Sequence, residues 1–87
     1  MTHIPVAIYT NPNCVQCDNT KRQFDKFGIE YTVVNLADVP DKLAEFIEQG
    51  HRTAPVVTTD TKIWSGFRLA KIKSLADHIN SLERTPE

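Results

Sequence analysis

Two cysteines, Cys14 and Cys17, enclose Val15-Gln16 at the point where an extended apolar run gives way to a helical pattern. They are the only cysteines of the 87-residue chain. On a helix this spacing puts both side chains on one turn, facing the same way. A disulfide closing so small a ring can form and break reversibly. Backbone N–H groups and the positive end of the helix dipole favour a thiolate at the first position. The motif therefore constrains the first third of the chain to strand, turn and helix, and it points to thiol–disulfide exchange.

Two plainer readings compete. A Cys-x-x-Cys pair can be half of a zinc site, but zinc takes about four ligands. The remaining candidates, His3, His51 and His78, are scattered, without a His-x₃₋₅-His pair. The pair can also be inert packing. Its place after the first strand of a βαβ unit favours the redox reading over both. Within that reading Cys14, at the helix mouth, is the nucleophile, and Cys17, one turn deeper, resolves the mixed disulfide. Lys21 and Arg22 follow on the same helix and read as a solvated face.

The length allows one small domain, residues 1–87, with a thin core. Two cysteines do not make a secreted disulfide scaffold. The opening Met1-Thr2-His3-Ile4-Pro5 lacks the basic start and apolar run of a signal peptide. No apolar stretch approaches the ~20 residues of a membrane span. The net charge of −1, with both signs interspersed, offers no basic field for nucleic acid and no polybasic stripe for a membrane surface. The expected setting is a cytoplasmic monomer.

Hydrophobic periodicity orders the rest. Val6–Tyr9 reads as a strand ending in the turn Thr10-Asn11-Pro12-Asn13. Cys14–Phe27 reads as a helix with Phe24 and Phe27 on one face and Gly28 as its stop. Ile29–Leu36 is a second strand. Asp38 and Pro40 open a second helix with Leu43, Phe46 and Ile47 inside and Gly50 as terminator. Val56–Thr59 and Lys62–Ser65 form a hairpin around Asp60-Thr61. Arg68–Leu82 is a last helix whose inner face is Leu69, Ile72, Leu75, Ala76, Ile79 and Leu82. Residues 83–87 read as a frayed tail. The order β-α-β-α-β-β-α makes the first two strands parallel and the last two antiparallel, in a four-stranded mixed sheet flanked by three helices.

Two further segments stand out. Thr53-Ala54-Pro55 precedes the third strand, where proline forfeits no ladder bond. From the residues alone the Ala54–Pro55 bond is expected to be trans. Trp64-Ser65-Gly66-Phe67-Arg68 joins the last strand to the last helix. Trp64 and Phe67 can be core, or can line a partly exposed apolar patch beside Cys14 with Arg68 pinning the loop to backbone carbonyls. The patch is the expectation carried forward. Of the histidines, only His51, in the loop before Pro55, is worth following.

These segments together resemble one family. Tyr9-Thr10 leading into Cys14-Val15-Gln16-Cys17, then Lys21-Arg22, His51-Arg52-Thr53-Ala54-Pro55-Val56-Val57 and Trp64-Ser65-Gly66-Phe67-Arg68 are spaced as in the glutaredoxin-like redoxins of the thioredoxin superfamily, most closely the NrdH-redoxins. The chain departs from that pattern at Leu69, where proline often follows the arginine. The resemblance implies an α/β fold of the thioredoxin and glutaredoxin type and a redox-active Cys14–Cys17 disulfide with no other cofactor. It implies a cis Ala54–Pro55 bond, and partner contacts at Thr53, Ala54, Pro55, Trp64, Ser65, Gly66, Phe67 and Arg68. It also implies electron donation to the large subunit of a class Ib ribonucleotide reductase and re-reduction by thioredoxin reductase with NADPH. A conventional glutaredoxin grips glutathione partly with an acidic pair after the glycine that follows the last strand. Here Phe67 and Arg68 follow Gly66, so glutathione is expected to bind poorly. A conventional glutathione-dependent glutaredoxin and an iron–sulfur scaffold module are the alternatives. The second cysteine counts against the latter.

Overall fold

The apolar run before Cys14 becomes an inner strand, and its alternation decides which side of the sheet each helix covers. The computed structural model describes residues 5–83. The elements are β1 (Ala7–Thr10), α1 (Val15–Lys26), β2 (Thr32–Asn35), α2 (Pro40–Glu48), β3 (Val56–Thr58), β4 (Ile63–Ser65) and α3 (Leu69–Glu83). A 3-10 turn at Leu36–Asp38 precedes α2. The strands form one sheet in the order β2-β1-β3-β4. β1 runs parallel to β2, with Ala7 opposite Thr32. It is antiparallel to β3, with Ile8 opposite Val57, and β3 is antiparallel to β4, with Val57 opposite Trp64. The mixed four-stranded sheet and its element order are those expected from the sequence.

Successive residues of a strand face opposite sides, and β1 and β3 divide their apolar residues accordingly. Ile8 and Val57 pack with Val6, Phe24, Ile29, Trp64, Ile72, Leu75 and Ala76, beneath α1 and α3. Tyr9 and Val56 face the other way, against Leu36, Leu43, Phe46 and Ala54, beneath α2. Tyr9 and Phe46 meet edge to face, with ring centroids 4.9 Å apart.

Four expectations need correction. Ile29 is not in the second strand. The Gly28 N–H donates to the Asp25 carbonyl and the Ile29 N–H to the Phe24 carbonyl, the two bonds of a Schellman closure, with Gly28 at φ 70°. Ile29 then tucks into the core beside Phe24, and pairing starts only at Thr32. Ile47 is 41% exposed and Leu69 37% exposed, so neither is an inner residue. The narrow sheet face under α2 is filled by Phe46, and Leu69 sits in the first turn of α3, ahead of the part that meets the core. Trp64, expected at a surface patch, is 3% exposed. β4 turns Ile63 outward and Trp64 inward, across from Val57.

α3 continues to Glu83, one residue into the stretch expected as a tail. Residues 84–87 and the side chain of Leu82 lie outside the described residues. Away from the dithiol, the Tyr31 O–H donates to Asp25 Oδ1 at 2.9 Å. Partial burial pushes the Tyr31 phenol above its usual range, and the bond to Asp25 and that carboxylate's charge push the same way.

Candidate redox site

The turn after β1 delivers Cys14 to the mouth of α1. Pro12 is followed by Asn13 at φ 56°, a conformation that asparagine tolerates better than most residues. Cys14 is then the N-cap, extended at φ −110° and ψ 105°. Its Sγ accepts a hydrogen bond from the Cys17 N–H at 3.1 Å. Cys14 and Cys17 are joined as a disulfide, their Cα atoms 5.2 Å apart. Cys17 is 2% exposed, whereas Cys14 is partly open to solvent. Val15, between them, is 72% exposed. Once the bond is reduced, a charge on Cys14 meets the first-turn N–H groups and the positive end of the α1 dipole. The first cation along the helix after Cys17 is paired with a carboxylate. Lys21 Nζ lies 3.6 Å from Asp18 Oδ1 on a solvated face.

Two loops frame this turn. Cys14 Sγ lies 3.8 Å from the Ala54 carbonyl oxygen. The Ala54–Pro55 peptide is cis, as the resemblance implied and against the expectation from the residues alone. The second loop is Gly66–Arg68. The Gly66 N–H donates to the Pro55 carbonyl at 2.8 Å, which ties the two loops together. Gly66 takes φ 81°. Arg68 Nε donates to the Ser65 carbonyl at 3.3 Å, so the arginine does hold its own loop. Thr53, Ser65, Gly66, Phe67 and Arg68 come together along an open groove of about 800 Å³ that continues past Lys62 and Lys71. Phe67 packs partly against the core. Trp64 belongs to the core and is not among the residues that line the groove.

Three further residues bear on the site, and of these only His51 was singled out in the sequence. Gln16 Oε1 accepts from the Phe67 N–H at 2.9 Å. Thr20, fully buried, donates its hydroxyl to the Gln16 carbonyl at 2.8 Å. His51, worth following from its position alone, closes α2 by donating its N–H to the Phe46 carbonyl at 2.7 Å. Its Nδ1 stands 3.2 Å from Ser65 Oγ. Only a polar residue between two cysteines hinted at Gln16, and nothing in the pattern marked Thr20. Among the described residues no group of three or more His, Cys, Asp or Glu could hold a metal ion.

Comparison with known proteins agrees with this geometry. The glutaredoxin family model matches residues 6–64. A glutaredoxin-like protein NrdH of Salmonella typhimurium is 43% identical over 81 residues, covering 93% of this chain and 91% of that protein. One from Lactococcus lactis is 35% identical, covering 82% of this chain and 99% of its own. Among solved structures, the NrdH-redoxin of Escherichia coli, a glutaredoxin-like protein described as thioredoxin-like in its activity profile, superposes with a TM-score of 0.71 at 36% identity. It covers 94% of this chain and 99% of its own. A glutaredoxin from Archaeoglobus fulgidus, at 21% identity and a TM-score of 0.68 over 80% of this chain and 83% of its own, shares the fold. The four-stranded sheet with three helices is thus a thioredoxin-like fold, and the Cys14–Cys17 pair is the disulfide of a glutaredoxin-like redox protein.

Proposed function

Since the chain belongs to the glutaredoxin family, among its NrdH-type members, we propose that it is a cytoplasmic, monomeric electron carrier to a class Ib ribonucleotide reductase. Thioredoxin reductase, using NADPH, restores its dithiol. The observation that carries this reading is the charge of the groove beside the disulfide. Lys62, Arg68 and Lys71 line it, and among the described residues no aspartate or glutamate does. The ammonium group of a zwitterionic tripeptide finds no carboxylate there, so glutathione is a poor reductant.

The reaction is an exchange of two electrons. The Cys14 thiolate attacks one sulfur of the substrate disulfide. That S–S bond breaks, a mixed disulfide forms on Cys14, and the departing thiolate takes a proton. Cys17, having lost its proton, attacks Cys14 Sγ and releases the second substrate thiolate. The substrate is now a dithiol and the carrier holds the Cys14–Cys17 disulfide. Two electrons from NADPH, passed through the reductase, reopen it. A cysteine pair on a flexible C-terminal tail of the reductase large subunit suits this site. Such a tail enters as an extended segment between Thr53-Ala54-Pro55 and Ser65–Arg68, and leaves after exchange.

The test is coupled turnover. NADPH oxidation is expected to be fast with thioredoxin reductase, this protein and oxidised class Ib ribonucleotide reductase. It is expected to be negligible when glutathione and glutathione reductase replace the thioredoxin reductase. The reverse pattern would assign the chain to the conventional glutaredoxins.

A further inference from the structure

The side chain of Gln16 leaves the ring closed by Cys14 and Cys17 and reaches a loop 51 positions further along the chain, where its Oε1 accepts from the Phe67 N–H at 2.9 Å. The loop's other described hydrogen bonds run elsewhere. Gly66 is tied to Pro55, and Arg68 to Ser65. Among the hydrogen bonds described, the Gln16 amide is the one that fastens the loop to the dithiol helix. The approach is close. A Cβ on Gly66 would stand 3.3 Å from Gln16 Oε1. At its other end Gln16 is held by the buried Thr20, whose hydroxyl donates to the Gln16 carbonyl. The amide thus extends from a hydrogen-bonded turn to a loop on one wall of the groove, which Gln16 also lines.

We propose that Gln16 is a positioning residue. Its amide fixes the Gly66–Arg68 loop against α1 and so sets how well a disulfide-bearing polypeptide docks, as distinct from how fast Cys14 exchanges. This rests on the reading that the substrate segment lies along the groove. The donor to Cys14 Sγ is the Cys17 N–H, a backbone group that no side chain at position 16 supplies. Gln16 and its bond are exposed. An exposed neutral bond competes with water, so its loss shifts an equilibrium by only about two- to tenfold.

The experiment uses the pre-reduced full chain, wild type and Gln16→Met, which keeps the length of the side chain and removes the acceptor. Each is oxidised by a cystine-bridged peptide and, separately, by bis(2-hydroxyethyl) disulfide, which is too small to span the groove. Amide hydrogen exchange is followed in the same proteins. Gln16→Met is expected to lower the ratio of peptide to small-disulfide reactivity about two- to tenfold. That loss should reside in the half-saturating peptide concentration and not in the limiting rate. The Phe67 amide should lose protection while the Phe24 amide keeps it. Gln16→Glu, which restores an acceptor, should recover both the Phe67 protection and the half-saturating concentration. Equal losses with both disulfides would put Gln16 in the exchange chemistry and overturn the proposal. Undiminished Phe67 protection, or an unchanged ratio, would overturn it too. Wild-type protein that reduces the small disulfide but never saturates with peptide would instead overturn the groove reading. The Phe67 amide would still report on the fastening.

Discussion

Cys14 and Cys17 differ in their access to solvent. Cys14 is partly open at the helix mouth, whereas Cys17 is buried one turn below. An incoming disulfide can reach only the first, and the first-turn N–H groups favour its thiolate. Cys14→Ser is therefore expected to abolish disulfide reduction. Cys17→Ser should leave a mixed disulfide with the substrate, visible on a non-reducing gel. Iodoacetamide at mildly acidic pH should label Cys14 first, and earlier labelling of Cys17 would reverse the assignment. The unequal access of the two cysteines was legible in the sequence because it follows from their order along one helix. Gln16 and Trp64 were not. The bond of Gln16 depends on a loop 51 residues away. Trp64 depends on which way a three-residue strand turns its middle side chain. The alternation Ile63-Trp64-Ser65 was available as a clue, but a tryptophan beside a glycine reads equally well as an exposed patch.

At the scale of elements, the terminators of the helices were well marked and their consequences were not. Gly28 and Gly50 stop α1 and α2 as anticipated, each through the same pair of backbone bonds. In both cases the residue after the glycine is drawn back against the helix. That draws Ile29 out of the strand and places His51 beside Ser65. Apolar character alone cannot distinguish a strand residue from one that closes a helix. Two glycines then make a paired prediction. Gly28 sits at φ 70° with nothing near the position of a Cβ, so Gly28→Ala meets only the backbone penalty of about 1–2 kcal/mol. Gly66, at φ 81°, meets that penalty and also presses on Gln16 Oε1. Urea melts should show a similar loss of stability for both alanines. Reduction of a polypeptide disulfide should fall only for Gly66→Ala. A matching loss of activity in Gly28→Ala would mean that stability alone governs turnover.

For the molecule as a whole, the two sides of the sheet are unequally defended. α1 and α3 share a core that includes the fully buried Ile8, Phe24, Val57 and Ile72. α2 closes a smaller one, in which Leu36, Phe46 and Val56 are the buried residues among those described. α2 has only modest local support, from Pro40 and Asp41 in its first turn and an exposed Lys42–Glu45 pair. It spans nine residues, has no side-chain cap at Val39 and no basic residue in its last turn. An isolated helix that short is not stable in water, so α2 depends on packing through Phe46 and the partly buried Leu43. α1 is longer, is capped by Cys14 and buries Cys17, Thr20 and Phe24. Regions with little buried apolar contact open before the whole protein unfolds. Native-state hydrogen exchange should therefore show the Phe46 and Ile47 amides of α2 opening at lower free energy than the Phe24 amide of α1 or the Ile8 amide of β1. Phe46→Ala, at a typical cost of about 3–5 kcal/mol, should abolish the protection of α2 while Ile8 and Phe24 stay protected. Because the dithiol sits on α1, that variant should still exchange with small disulfides. Equal protection of both helices in the wild type, or loss of the dithiol chemistry together with α2, would mean that the sheet and its three helices open as a single unit.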